Sequence, residues 1–321
     1  MLISFVIPCY RSEKTLGDVV RTIQETVGAK EGFEAEIILV NDASPDGTWD
    51  IIKKLHEEYG NIKGINIAKN SGQQSAIMAG LRHAAGELVA VSDDDGQTPI
   101  ETVFEFYDHM VEGGYDVVCA DYHGRGKRSA FRRLGSWANN EMAKLFMEKP
   151  EDLKLSVYFL AKKFVVDEMV RYTNAYPHME GLLIRTTRNI GNVTVDQKER
   201  ASGSSGYNLR KLLSTWVNGL TTFSIKPLRL AMVLGMLFAA IGFITIIVLV
   251  VMKLTRSDIA IGWTSMIATN LLTGGMIMLM LGVIGEYIGR IYLSLNQNPQ
   301  YVIKEMIGFE TADSKQKTEN R

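Results

Sequence analysis

Two long apolar blocks near the C-terminus restrict this chain more than any other feature. Leu228 to Met252 reads LRLAMVLGMLFAAIGFITIIVLVVM, with Arg229 as its single charge, and Trp263 to Ile284 reads WTSMIATNLLTGGMIMLMLGVI with none. At 1.5 Å per helical residue each block can cross about 30 Å of hydrocarbon. The ten residues Lys253–Gly262 between them make a short outer turn, so the pair is expected to form a helical hairpin in a membrane. They explain how a chain that is 22% charged still has a mean hydropathy of +0.01. Arg210, Lys211, Lys226 and Arg229 lie at or before the start of the first block, and Arg290 and Lys304 follow the second. Lys253 and Arg256 in the turn leave a modest positive-inside bias. The opening MLISFVIPCY lacks a basic leader and contains Pro8, so the first ~225 residues are expected to remain in the cytoplasm. The net charge of −1 offers no basic footprint for nucleic acid.

The first 120 residues alternate strand and helix patterns. Apolar runs at Leu2–Pro8, Glu36–Asp42, Ile62–Ala68, Glu87–Asp93 and Asp116–Asp121 read as strands. Helical patterns cover Thr15–Val27, Gly72–Ala85 and Ile100–Val111, and the turn Ser44–Thr48 caps a further helix that runs to about Tyr59. A βαβα series predicts an α/β fold with a mostly parallel sheet and helices on both faces. Ligands of such sheets bind beyond the carboxyl ends of the strands. Tyr10, Asp42, Asn70, Asp93 and Asp95 gather there. Cys9 and Cys119 fall in strands and read as buried thiols of a reduced compartment.

The fourth strand runs into Ser92-Asp93-Asp94-Asp95-Gly96-Gln97. Three adjacent like charges repel unless something positive is near. Asp93 and Asp95 alternate, so in extended geometry both face one way while Asp94 points elsewhere. Two carboxylates, with Gln97 as a neutral oxygen, form a hard donor set for Mg²⁺ or Mn²⁺ on a substrate phosphate. Further along, Gly124–Arg133 packs Arg125, Lys127, Arg128, Arg132 and Arg133 into ten residues. The basic amphipathic stretches Phe131–Phe146 and Asn208–Phe223 suit an anionic membrane surface.

The segments FVIPCYRSEKTL, LVNDASPDGT, NSGQQSAIMAGL, SDDDGQTP and YNLRKLLSTWVNGLTTFSIKPLRL, followed by the hairpin and GEYIGRIY, resemble family 2 glycosyltransferases of the polyprenyl-phosphate type. That group includes dolichol-phosphate mannose synthase and bacterial undecaprenyl-phosphate sugar transferases. The resemblance implies a nucleotide-sugar-binding Rossmann-like (GT-A) domain over residues 1–207, an interfacial helix over 208–227, membrane helices over 228–252 and 263–286, and a cytoplasmic segment over 287–321. It implies metal-dependent, inverting transfer of one sugar from a nucleoside diphosphate sugar, UDP- before GDP-, to a polyprenyl phosphate at the cytoplasmic face of a bacterial inner membrane. Pro8 and Tyr10 would border the base, Asp42 would read its edge, and Asp94 would belong to the donor site. Asp93, Asp95 and Gln97 would hold the Mg²⁺ or Mn²⁺. Arg132 and Ser136, assisted by Arg125 or Arg128, would meet the lipid phosphate. Arg200, in RASGSSGY, would close over the donor phosphates.

The chain departs from that pattern in four places. Arg11 stands where Asn usually follows the tyrosine, Val157 and Phe159 stand where Asp and Arg are common, Gly206 stands where Lys often lies, and NPQY (298–301) replaces R-P-x-Y. Two other readings remain open: a catalytically silent scaffold that binds nucleotide sugars, and a polysaccharide synthase, although the Q-x-x-R-W motif of such synthases is missing. Gly282, Gly285 and Gly289 align small residues along the second span, which points to close helix contact inside the hairpin or between subunits of a homo-oligomer.

Overall fold

The computed structural model describes residues 1–123, 153–174, 177–196, 262–295 and 299–309, with scattered helical positions between 228 and 251. The chain divides into two units, Met1–Lys211 with Gln297–Arg321, and Leu212–Asn296.

The first unit is built on an eight-stranded sheet. Its strands are β1 (Leu2–Cys9), β2 (Glu34–Asn41), β3 (Ile62–Ile67), β4 (Leu88–Val91), β5 (Val117–His123), β6 (Phe159–Lys162), β7 (Ile190–Asp196) and β8 (Ile303–Ile307). Their order is β7-β5-β6-β4-β1-β2-β3-β8. The centre is parallel, β4-β1-β2-β3, as the apolar runs predict. Six of the eight β1 residues, Ile3, Ser4, Phe5, Val6, Ile7 and Cys9, are at most 1% exposed, because helices cover both faces. Helix α1 (Leu16–Gly28) buries Leu16, Val19, Val20, Ile23 and Val27, one apolar stripe at helical spacing. The other helices are α2 (Thr48–Glu58), α3 (Gln73–Leu81), α4 (Val103–Gly113, preceded by a 3₁₀ turn at Ile100–Thr102), α5 (Lys163–Met169) and α6 (Met179–Thr186). Both cysteines are free and buried, and burial raises the thiol pKa of Cys119 to about 12.

Three strands lie outside the sequence reading. β6 inserts antiparallel between β4 and β5, with Phe159 opposite both Val91 and Cys119. Phe159, where the chain departs from the family pattern, therefore opens an internal strand, and Val157 lies just before it. β7 pairs in parallel with β5 at one edge, and β8 pairs antiparallel with β3 at the other. β8 draws residues from the far side of the apolar segments into this sheet. Gly64 of β3 permits its approach, since a Cβ there would lie 2.8 Å from Ile307 and 2.8 Å from Ile52. Trp49 Nε1 donates to Glu305 at 3.1 Å, and the Arg82 guanidinium lies over the Tyr301 ring at 5.7 Å.

A polar cluster crosses the sheet at the end of the strands away from the aspartates. Glu36 accepts from Lys63 Nζ at 2.7 Å, from the Ala85 N–H at 2.8 Å and from the Ser4 hydroxyl, while Ser4 Oγ accepts from the Gly86 N–H at 2.8 Å. Burial alone would raise the Glu36 pKa. The hydrogen bonds from Lys63, Ser4 and Ala85, with the Lys63 charge, outweigh it and hold the carboxylate below its ordinary range. A lowered folded-state pKa contributes stability above the unfolded value and loses it as pH falls through the folded value. Glu36→Gln is therefore expected to cost about 1–3 kcal/mol near neutral pH. The deficit should shrink on acidification below the ordinary carboxylate range, as read by denaturation of the detergent-solubilised chain at two pH values.

In the second unit the described element is α7 (Trp263–Leu295), 33 residues long or about 50 Å. Its window Leu272–Gly289 has a mean hydropathy of 1.5, long and apolar enough to cross a membrane. Large apolar side chains such as Met278, Leu281 and Ile288 are more than half exposed. Gly235, one of the helical positions in the first apolar block, faces α7: a Cβ there would sit 3.7 Å from Met280.

Candidate active site

The site forms where β1, β2, β3 and β4 end side by side. β4 stops at Val91, two residues before the expected limit, and residues 94–96 bend. The aspartates are therefore placed by a turn, not by strand alternation, and they face three different neighbours. Gly96 adopts φ +72, a left-handed conformation that glycine takes without a Cβ penalty. This lets the Gln97 N–H donate back to Asp95 Oδ1 at 3.0 Å.

Asp94 turns into the loop after β1. Its Oδ2 accepts from the Tyr10 N–H at 2.9 Å and from the Ser12 hydroxyl, and its carbonyl accepts from Thr15 Oγ1 at 2.7 Å. Burial raises its pKa against the pull of the Ser12 and Tyr10 hydrogen bonds. Asp94 thus holds Tyr10 and Ser12 in place. Asp93 faces α3, with Oδ1 accepting from Gln73 Nε2 at 2.7 Å. Asp95 lines a recess of ≈ 180 Å³ with Asp94, Asp46 and the Tyr10–Thr15 loop.

Asp42, after β2, is 3% exposed. Its Oδ1 accepts from the Ser71 N–H at 2.7 Å and its Oδ2 from the Gly72 N–H at 2.9 Å, and Asn70 Nδ2 donates to its carbonyl at 3.3 Å. Burial raises its pKa more than these amides lower it. Asp42 therefore fixes the loop after β3. Pro8 is buried in β1 opposite Val40, whereas the Tyr10 side chain emerges 45% exposed at the strand's end.

Arg11 takes φ +60, a conformation that costs a non-glycine residue about 1–2 kcal/mol. Asn, usual at this position in the resembling family, tolerates it better. The Arg11 N–H donates to Ser44 Oγ at 2.8 Å, and its guanidinium lies 5.6 Å from the Tyr10 ring centre, at the rim of the recess.

Asp93 and Asp95 offer hard carboxylate oxygens, and Gln97 an amide oxygen. Among the described residues no three His, Cys, Asp or Glu side chains converge to enclose an ion. A pair of carboxylates with substrate phosphates and water completing the shell is the usual Mg²⁺ arrangement, so the residues fit such an ion. Arg125, Arg128, Arg132, Ser136 and Arg200 lie outside the described residues. Sequence reasoning missed the side-chain roles of Ser12, Thr15 and Gln73. The signal available for them was position, since each follows a strand at its carboxyl end.

Comparison with known proteins identifies the family. Residues 4–168 match the family Glycosyl transferase family 2, and residues 226–291 match the GtrB C-terminal hairpin. An uncharacterised glycosyltransferase YkcC of Bacillus subtilis is 32% identical, with 96% of this chain and 94% of that protein covered. The SfII prophage-derived bactoprenol glucosyl transferase of Shigella flexneri is 30% identical over 95% and 98%. An undecaprenyl-phosphate 4-deoxy-4-formamido-L-arabinose transferase of Aeromonas hydrophila is 30% identical over 99% and 98%. Among solved structures, glucosyl-3-phosphoglycerate synthase of Mycobacterium tuberculosis, in complex with Mn²⁺, UDP and glucosyl-3-phosphoglycerate, shares the fold with a TM-score of 0.51 at 16% identity, covering 69% of this chain and 78% of that one. With its α/β sheet, its aspartates beyond β4 and these matches along nearly its whole length, the chain belongs to glycosyl transferase family 2 and is a glycosyltransferase.

Proposed function

We propose that this enzyme transfers one sugar, with inversion, from a nucleoside diphosphate sugar to a polyprenyl phosphate such as undecaprenyl phosphate at the cytoplasmic face of a bacterial inner membrane. UDP is the preferred carrier and GDP the second. The observation that supports the reading is the divergence of Asp93-Asp94-Asp95: Asp94 binds the loop after β1, Asp93 accepts from Gln73 and Asp95 lines the recess, and the last two are assigned to a cation on the donor diphosphate. The relatives named for bactoprenol and undecaprenyl phosphate supply the acceptor class.

Topology supports a two-span anchor. β8 lies in the same sheet as β1–β7, which favours membrane crossings that come in pairs between β7 and β8. With α7 as one crossing, a second belongs to residues 228–252, within the stretch that matches the hairpin family.

An Mg²⁺ or Mn²⁺ held by Asp93 and Asp95, with Gln97 beside them, would supply the positive charge that makes the nucleoside diphosphate a good leaving group. The chain's own groups do the rest. Asp94 fixes Tyr10 and Ser12 so that the base has a formed wall, and Asp42 holds the opposite loop through Ser71 and Gly72. Arg200 closes over the donor phosphates. Arg132 and Ser136, with Arg125 or Arg128, hold the lipid phosphate. A phosphate monoester has a second pKa near ~6 and is already largely ionised at neutral pH, so no side chain has to remove its proton. Its oxygen attacks the anomeric carbon from the face opposite the diphosphate. The new C–O bond forms as the old one breaks, and the nucleoside diphosphate departs.

Incubating the detergent-solubilised enzyme with undecaprenyl phosphate and a panel of labelled UDP- and GDP-sugars tests this. One lipid-linked product is expected, lost in EDTA and restored by Mg²⁺ or Mn²⁺. No lipid product from any donor would overturn the reading and favour a silent nucleotide-sugar-binding scaffold.

A further inference from the structure

Helix α3 lies directly over β1, where Gly80 allows the close fit: a Cβ there would be 2.3 Å from Val6 Cγ1. β1 has β2 on one side and β4 on the other. The helix therefore starts between the ends of the two strands that carry Asp42 and Asp93. Every residue from Ser75 to Leu81 is buried, so its first turn rests on a packed base. Four consecutive residues at this start reach three elements. The Ser71 and Gly72 N–H groups bind Asp42, the Gln73 side chain binds Asp93, and Gln74 Oε1 accepts from the Met179 N–H of α6 at 2.7 Å.

The Gln73 contact does not read as a stabilising device. The residue is exposed, and one solvent-accessible hydrogen bond is worth about 0.5–1.5 kcal/mol before the cost of ordering a long side chain. Its chemistry is also specific. A Lys or Arg at this place would neutralise Asp93 and compete with a cation. A neutral amide orients the carboxylate and leaves its charge intact. Carboxylates that bind metals are commonly oriented by such outer hydrogen bonds.

We propose that Gln73 is a positioning residue that sets the Asp93 carboxylate for the cation on the donor diphosphate, and that the Ser71–Gly72 clamp ties this setting to Asp42. The assignment rests on the proposed metal-dependent reaction. Its test is binding, measured on the full chain in detergent. UDP and GDP affinities are measured without a divalent ion, and Mn²⁺ affinity of the nucleotide complex is measured from the free-ion electron paramagnetic resonance signal. Gln73→Met keeps the side chain's length and helix propensity and removes the donor. It is expected to weaken Mn²⁺ binding by roughly 10–100-fold, with metal-free nucleotide affinity held within about twofold. Gln73→Ala should behave likewise. Unchanged Mn²⁺ affinity in both variants would overturn the assignment alone. So would an equal loss of metal-free nucleotide affinity, which would mark a general disturbance of α3. A wild-type protein whose nucleotide complex binds no Mn²⁺ would overturn the proposed reaction together with it.

Discussion

Asp95→Asn is expected to lower sugar transfer to undecaprenyl phosphate by roughly 10²–10³-fold, the scale on which loss of one charge-stabilising group slows a reaction that expels an anion. The substitution is nearly isosteric. Asn keeps an oxygen that can accept the Gln97 N–H, so the Gly96 turn survives. Asp95 is also only partly buried, and removing its charge strands no buried partner. Thermal unfolding should therefore move by no more than about 2–4 °C, within what 1 kcal/mol does to a domain of this size. A drop in rate with the fold retained assigns the loss to chemistry or metal binding, and a fall in Mn²⁺ affinity of the nucleotide complex separates the second from the first. Full turnover of the variant in chelator-treated buffer would show that no cation at this carboxylate serves the reaction.

The central strands were legible in the sequence because of how they are buried. β1 and β2 are covered on both faces, so they read as continuous apolar runs, and their observed limits fall within about two residues of the expected ones. β6 and β8 were not legible. They are four and five residues long, and their partners lie far away in sequence: Val91 for Phe159, and Gly64 for Ile307. Nothing local marks such pairing, and β8 also sits beyond a segment that reads as membrane. At the site, the residue types and their place after strands were legible, and so was the separation of Asp94 from its neighbours. The direction each aspartate takes was not. Asp94 turns to Tyr10 and Ser12, more than 80 positions away, and Asp93 meets Gln73, 20 positions away. These are choices made by a turn and by a helix seated across β1, and neither is written in the triplet itself.

Asp94 should answer mutation in the opposite manner to Asp95, because its work is structural. Asp94→Ala leaves the Tyr10 N–H and the Ser12 hydroxyl without their common acceptor. Unsatisfied donors of this kind cost about 1–3 kcal/mol each, and the relief of desolvating a carboxylate offsets part of the sum. A net loss of about 2–3 kcal/mol is expected, together with weaker nucleotide binding in the absence of any metal, since the wall formed by Tyr10 and Ser12 loosens. Metal-free affinity is the readout that Asp95→Asn leaves alone. A second measurement fixes the sign of the electrostatics. Burial raises the Asp94 pKa in the folded state. A raised value favours the folded protein below the unfolded pKa, and that advantage is lost as pH rises through the folded pKa. Asp94→Asn removes the titration but keeps an acceptor, so the stability gap between wild type and variant should shift in favour of wild type as pH falls from neutral toward the ordinary carboxylate range, the reverse of the trend expected for Glu36→Gln. A gap that stays flat over that range, with metal-free nucleotide affinity untouched in Asp94→Ala, would mean that this carboxylate does not hold the donor loop. All three aspartates would then have to be assigned to the diphosphate end of the site.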